Sequence, residues 1–238
     1  MTLRILIAIV WLTLLSVSGW GQAVTVKGHV SSEYGGSAEK DAAGVVVWLM
    51  PLGSQTAPPA KLQAPAHPQL VQTGKHFEPH LLIVPVGTAV EFPNKDPFFH
   101  NVFSLFEGKR FDLGLYEAGS TRTVLFDKPG ISYIFCNIHP QMSAVVIALA
   151  TPFYAVSDAR GEITVPAVPP GRYTLNLWFE NSLPEVLARL RREITVTESD
   201  HSLGTIRLLN RDHLQVRHKN KYGKDYDDQM PSTPGYTP

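Results

Sequence analysis

The stretch Ser132-Tyr133-Ile134-Phe135-Cys136-Asn137-Ile138-His139-Pro140-Gln141-Met142-Ser143-Ala144-Val145-Val146-Ile147-Ala148-Leu149-Ala150 places two apolar runs, SYIFC and AVVIALA, on either side of a short polar loop. β-Branched and aromatic residues suit a pleated, half-buried surface, while Asn, Pro and Ser punctuate turns, so the local reading is strand, loop, strand. The loop opens on a thiol, reaches an imidazole three residues later and a thioether three after that: Cys136, His139 and Met142. A turn between two strands can aim all three side chains to one side.

The same texture extends upstream. LLIVPVG from Leu81, TAVEFPN from Thr88, HNVFS from His100 and TRTVLFD from Thr121 are each bounded by Gly, Pro, Asn or Asp. With the two runs above they make six strands in residues 69–149, enough for a β-sandwich. His100 opens one of these strands and can lie beside the Cys loop once the sandwich closes. A soft thiolate and thioether with two imidazoles form a donor set for copper. His100, Cys136, His139 and Met142 are therefore the candidate ligands of one copper ion, cycling between Cu(I) and Cu(II). A lone Cys at a strand end is ordinarily a small buried apolar residue, a lone His a surface or satisfied core residue, and a Met a filler of core gaps. The order of the four donors outweighs those explanations for the first three, and Met142 is read either as the weak axial ligand or as core. Asn101, directly after His100, is expected to hydrogen-bond the backbone of the Cys loop, and Phe98, Phe99, Phe103, Phe106 and Phe135 to surround the site.

Residues 75–149 resemble the small blue copper proteins, plastocyanin and amicyanin. The resemblance lies in the run from Phe77 to Asn94 (F-x-P-x-x-L-x-V-x-x-G-x-x-V-x-F-x-N), in His100-Asn101-Val102, and in the loop Cys136 to Met142, whose two-residue gap between His139 and Met142 is amicyanin-like. It covers roughly a third of the chain. It implies a cupredoxin fold for residues 69–149, His100, Cys136, His139 and Met142 as copper ligands, and outer-sphere electron transfer through the edge of His139.

The flanks read differently. Gly28-His29-Val30 and VVVWL (45–49) precede the block, and Ser157-Asp158-Ala159-Arg160-Gly161 and VPPGRYTLNLWF (168–179) follow it. These segments resemble the carboxypeptidase regulatory-like, transthyretin-type sandwich. Their order implies one second sandwich, residues 24–52 with 151–209, split by the inserted cupredoxin, as loops with close ends allow. The fold class expected is all-β: a Greek-key cupredoxin sandwich plus a second small β-sandwich. Trp48, Trp178 and Phe179 read as core. Ser182 and Glu185 have capping-box spacing, and Leu183, Val186, Leu187 and Leu190 share a helical face, although a strand through REITV competes. Residues 210–238, polar with almost no aliphatic side chains, read as a disordered tail.

Arg4 followed by ILIAIVWLTLL (Ile5 to Leu15) and small residues up to Ala23 reads as a secretory signal peptide, residues 1–23, or, if retained, an N-terminal anchor. Lys plus Arg and Asp plus Glu stand at 21 each, and removal of Arg4 leaves a balance of −1. Charge thus offers no reason to bind nucleic acid or an anionic membrane, and no stable membrane insertion is expected after cleavage. Cys136 is the single cysteine, so no internal disulfide protects it, and a bound metal explains an exported lone thiol.

Nothing reads as catalytic. The chain has no G-x-S-x-G, no Cys-x-x-Cys, no P-loop and no His-x-His pair. His76 and His80, four apart on an extended segment, would stand about 13 Å apart and read as surface residues, and His213 and His218 as part of the tail. The expectation is an exported, periplasmic copper electron carrier rather than an enzyme. Its partners would be redox proteins such as a cytochrome or dehydrogenase, met through a small patch of Pro140, Phe98 and Phe99 around His139. The alternatives are a copper carrier or chaperone using the same donors, and a metal-free adhesion or carbohydrate-binding sandwich.

Overall fold

The structure is a computed structural model that describes residues 22–34, 40–53, 64–105, 108–210 and 219–226, without the side chains of 34, 209 and 210. The apolar N-terminal run, Phe106, His213 and His218 lie outside the described residues. In chain order the strands are β1 (Val24–Tyr34), β2 (Lys40–Asp41), β3 (Val46–Pro51), β4 (Val71–Thr73), β5 (His76–Glu78), β6 (Leu81–Pro85), β7 (Thr88–Pro93), β8 (His100–Ser104), β9 (Phe111–Tyr116), β10 (Thr121–Phe126), β11 (Gly130–Cys136), β12 (Ser143–Leu149), β13 (Tyr154–Val156), β14 (Glu162–Val168), β15 (Gly171–Trp178), β16 (Arg192–Val196) and β17 (Ser202–Asn210), with α1 (Pro184–Leu190) between the fifteenth and sixteenth. Among the described residues no helix is long and apolar enough to cross a membrane.

The expected all-β class is what the structure has, and the strands sort into two sandwiches. In the central one a five-stranded sheet, β6-β12-β11-β8-β9, faces the pair β10-β7. Val102, Ile134, Cys136, Ala144, Val146 and Ala148 from the first layer meet Val90, Phe92, Val124 and Phe126 from the second in one buried core. In the other, β14-β1-β17 with β2 on β1 faces β13-β3-β15-β16. Val26, Val30, Ile163, Val165 and Ile206 pack there against Val47, Leu49, Tyr173 and Leu175. β1 and β3 thus share sheets with strands that follow β12 in the chain.

The two sandwiches are joined through β12. Its run SAVVIAL is buried on both faces because alternate side chains of a strand point opposite ways. Ala144, Val146 and Ala148 enter the central core, whereas Val145, Ile147 and Leu149 pack on Val46 and Trp178 of the neighbouring sandwich. The Trp178 indole N–H also donates to the Tyr133 hydroxyl at 3.1 Å. Trp178 is core as expected, but of the junction rather than of its own sandwich, and Trp48 lies half-buried beside it. Burying each large apolar side chain is worth about 1.5–3 kcal/mol, so this seam fixes the two units against each other.

His80 bridges the same junction. Its Nδ1 lies 3.1 Å from the Ser143 carbonyl and its Nε2 2.8 Å from the Glu180 carboxylate, two acceptors that together call for a doubly protonated ring. The Glu180 hydrogen bond, opposed by burial, raises the His80 pKa. A raised folded pKa means this stabilisation is complete below the unfolded value of about 6.5 and is lost as pH rises through the folded value. Both side chains are nearly half exposed, so the effect stays within about 1 kcal/mol and the apolar seam dominates. Thermal melts at pH 6 and pH 8 should show a small loss of stability in the native protein that Glu180→Gln abolishes; an unchanged pH slope in the variant would remove His80 as its source.

Local chemistry explains the turns. Asp158 accepts the N–H groups of Arg160 and Glu162 on Oδ1, and the Gly161 N–H returns to the Asp158 carbonyl. Gly161 sits at φ +72°, and a Cβ there would lie 2.2 Å from the Val30 oxygen. Gly161→Ala should therefore cost at least about 2 kcal/mol in denaturant unfolding. Gly119→Ala, at φ +75° with open space around it, should cost about 1 kcal/mol. Equal losses at the two sites would show that the Val30 contact is unimportant.

Two expectations are corrected here. The helix forms, but its N-cap is Leu183 without a side-chain cap, so the Ser182–Glu185 box is not made. Pro184 at the first helical position presets its own φ and drives Leu183 into the extended region, which moves the helix start one residue on. REITV does form a strand, β16, directly after it. Residues 219–226, expected within a disordered tail, fold as a turn against the loop that follows β11.

Candidate metal centre

β11 and β8 are antiparallel neighbours with Cys136 opposite Val102. His100, two residues from Val102, shares its face of β8, so register alone sets His100 diagonally beside Cys136. The loop then turns back. The Asn137 N–H donates to the Asn101 carbonyl at 2.9 Å, the Met142 N–H to the His139 carbonyl at 3.0 Å, and the Cys136 N–H to the Met142 carbonyl at 3.3 Å. This closes His139 over the pair. Cys136 Sγ lies 3.6 Å from His100 Nδ1 and 3.6 Å from His139 Nδ1, and the two Nδ1 atoms are 3.2 Å apart.

His100 and Cys136 are fully buried and His139 is partly exposed. Met142 is also fully buried, in the same core as Cys136. These four are the expected ligands, and the structure brings the first three donors together. Among the described residues they are the one such group of His, Cys, Asp or Glu donors.

Protonation states follow from neighbours. His100 Nε2 lies 2.9 Å from Asp96 Oδ2. An ionised carboxylate only accepts, so Nε2 carries the proton and the Nδ1 lone pair faces Cys136 and His139. Asp96 is itself held: the Gly74 and Lys75 N–H groups of the β4–β5 turn donate to its two oxygens at 2.6 and 3.0 Å. Burial raises the Asp96 pKa, but Lys75, His100 and Gly74 outweigh it and leave the carboxyl below its ordinary value. Burial lowers His100 despite Asp96, and burial, with His100 and Lys75 nearby, pulls His139 down to about 4. Both imidazoles are thus neutral at pH 7. Burial raises the Cys136 pKa against the amides of Asn101, Ile138 and His139, so a bound cation must displace the thiol proton.

The donor set fits a single soft transition-metal ion. Bonds of about 2.0–2.3 Å to three donors around one ion put the donors about 3.6 Å apart, close to the separations here. Two neutral imidazoles and one thiolate with a thioether in the same core match copper rather than a hard cation, which prefers oxygen.

The surroundings differ from expectation in three respects. The Asn101 side chain does not reach the Cys loop; its amide donates to Asp112 at 2.7 Å, because alternation along β8 turns it away from His100, and its backbone carbonyl makes the loop contact instead. Phe98 is the ring that covers the imidazoles, with centroids 5.3 Å from His100 and 5.4 Å from His139. Phe103 and Phe135 pair with each other at 5.9 Å on the opposite face of the sheet, and Phe99 is 43% exposed. His76 and His80 stay outside the site, as expected.

Asp96 and Asn94 were missed. Asn94 folds the approach to His100, donating to the Phe98 carbonyl at 2.8 Å and accepting from the Asp96 N–H at 3.0 Å. The signal was an Asx-type Asn94-x-Asp96 with an acid four residues before the histidine.

No protein-family model matches the chain, and no curated protein does. Solved structures do. The copper-containing nitrite reductase (NirK) of Thermus scotoductus SA-01 is 29% identical, covering 39% of this chain and 24% of that chain, with a TM-score of 0.34. The purple cupredoxin of Nitrosopumilus maritimus is 27% identical over 34% of this chain and 98% of its own, TM-score 0.31. Amicyanin of Paracoccus versutus is 21% identical over 37% and 86%, TM-score 0.32. The chain spans about a quarter of the length of the nitrite reductase it matches.

Proposed function

We propose that the protein is an exported, periplasmic type-1 copper protein that passes single electrons between redox partners, in which His100, Cys136 and His139 would hold the metal and Met142 would be a fourth, weaker donor. The observation that carries this reading is the His100–Cys136–His139 triad, two of its members fully buried, with donors 3.2–3.6 Å apart. Copper bound there supplies a one-electron couple. Asp96 holds His100 in one tautomer, and the Phe98 ring packs against both imidazoles. His139, the partly exposed donor, gives electrons their route to the surface, and Pro140, Phe98 and Phe99 form the contact for a cytochrome or dehydrogenase. The chain is a carrier and not an enzyme by itself. Complete burial of Cys136 favours a fixed centre over a delivering carrier, which needs an accessible thiol.

Residues 69–149 are read as a cupredoxin inserted into a regulatory-like sandwich of 24–52 and 151–209, a reading supported by the sheets that β1 shares with β14 and β17. Titration of purified protein with Cu(II) tests the function. One equivalent should raise an intense visible thiolate-to-copper band and leave slowly to a chelator. Rapid release would favour the copper carrier, and no uptake would leave the metal-free sandwich.

A further inference from the structure

The described part of the C-terminal region, residues 219–226, grips the ligand loop. Asn220 organises it: its Oδ1 accepts the Tyr222 and Lys224 N–H groups, and its N–H donates to the Lys224 carbonyl. This turn presents Lys221 to both sides of the metal centre. The Lys221 N–H donates to Asn137 Oδ1 at 2.9 Å, one residue from Cys136. Its Nζ meets Asp112 Oδ2 at 2.8 Å, and the other oxygen of Asp112 holds Asn101, one residue from His100. Tyr226 then donates its hydroxyl to the Cys136 carbonyl at 2.8 Å.

We infer that residues 219–226 are a built-in clasp on the copper site, with Lys221 and Tyr226 as positioning residues that hold the two ligand-bearing strands in register. A segment so poor in aliphatic residues has no core of its own to keep it in place, so these directed bonds fix it. The ion pair shifts both partners in agreement: hydrogen bonding to Asp112 raises Lys221, and burial of Asp112 is outweighed by its bonds to Lys221, Asn101 and Gly114, which leave it lowered. The clasp makes the loop rigid before metal arrives and slows metal loss, the behaviour an electron carrier needs and a delivering chaperone does not. The inference rests on the proposed copper site.

Full-length Lys221→Met, Lys221→Arg and Tyr226→Phe test it by two readouts. In the metal-free proteins, amide exchange at Asn137 and Met142 should quicken about fivefold in Lys221→Met and in Tyr226→Phe, the effect of one lost hydrogen bond, and stay native in Lys221→Arg. In the copper-loaded proteins, release to a chelator should quicken about fivefold in the same two variants, with a shifted visible band, while the melting temperature of the metal-free protein changes little. Native exchange and release rates in both variants would overturn the clasp, as would losses that simply track the melting temperature. If the native chain takes up no copper, the functional proposal fails, and exchange at Asn137 and Met142 still decides whether the segment holds the loop.

Discussion

Cys136→Ser should abolish the intense visible band and weaken copper binding by at least about a hundredfold. The thiolate is the soft donor, and the charge-transfer band belongs to sulfur. A serine hydroxyl stays protonated at neutral pH and is a harder ligand, so two imidazoles would remain as the strong donors. Fold loss would not mimic the result. The amides of Asn101, Ile138 and His139 that face the sulfur can serve a hydroxyl, so the metal-free variant should stay within about 2 kcal/mol of native stability. Persistence of the band in Cys136→Ser would remove Cys136 from the metal centre.

Asp96→Ala should have the largest effect of any change outside the donors. Asp96 is 5% exposed and accepts from the part-buried Gly74 and Lys75 N–H groups and the buried His100 Nε2, so its removal leaves three donors, one of them fully buried, without their acceptor. A buried donor left without its acceptor typically costs about 1–3 kcal/mol, and the two turn amides add to that. Loss of the group that orients a ligating histidine typically costs about 10- to 100-fold in metal affinity. Denaturant unfolding of the metal-free protein and chelator competition on the loaded one measure the two effects separately. Asp96→Asn retains one acceptor oxygen and should fall between. A variant with native stability and affinity would show that His100 is positioned by its strand alone.

The donor triad was legible because most of it is local. Cys136, His139 and Met142 lie in one loop, and His100 declared itself by opening a strand of the same block. Asp96 was not legible. An acid in a polar loop is ordinary until the β4–β5 turn is laid across it, and that juxtaposition depends on turn residues more than twenty positions away in sequence. The five phenylalanines show the same limit. Composition promised an apolar shell, but strand alternation sends Phe103 and Phe135 to the far face, and Phe98, in the loop before β8, is the ring that lies on the imidazoles. Asn101 was assigned the right neighbour through the wrong group, its backbone rather than its amide.

The amino-acid sequence by itself determined the strand texture and the donor types and their order, since these are written in local pattern and spacing. Only the tertiary structure decided that AVVIALA is buried on both faces and what covers each: the core beside the donor triad for Ala144, Val146 and Ala148, and Trp178 of the second sandwich for Val145, Ile147 and Leu149. It also decided that a polar segment ninety residues downstream of Cys136 closes on the ligand loop. Periodicity records that a side chain needs a partner; the partner's identity is set by chain crossings and register, which no local pattern encodes.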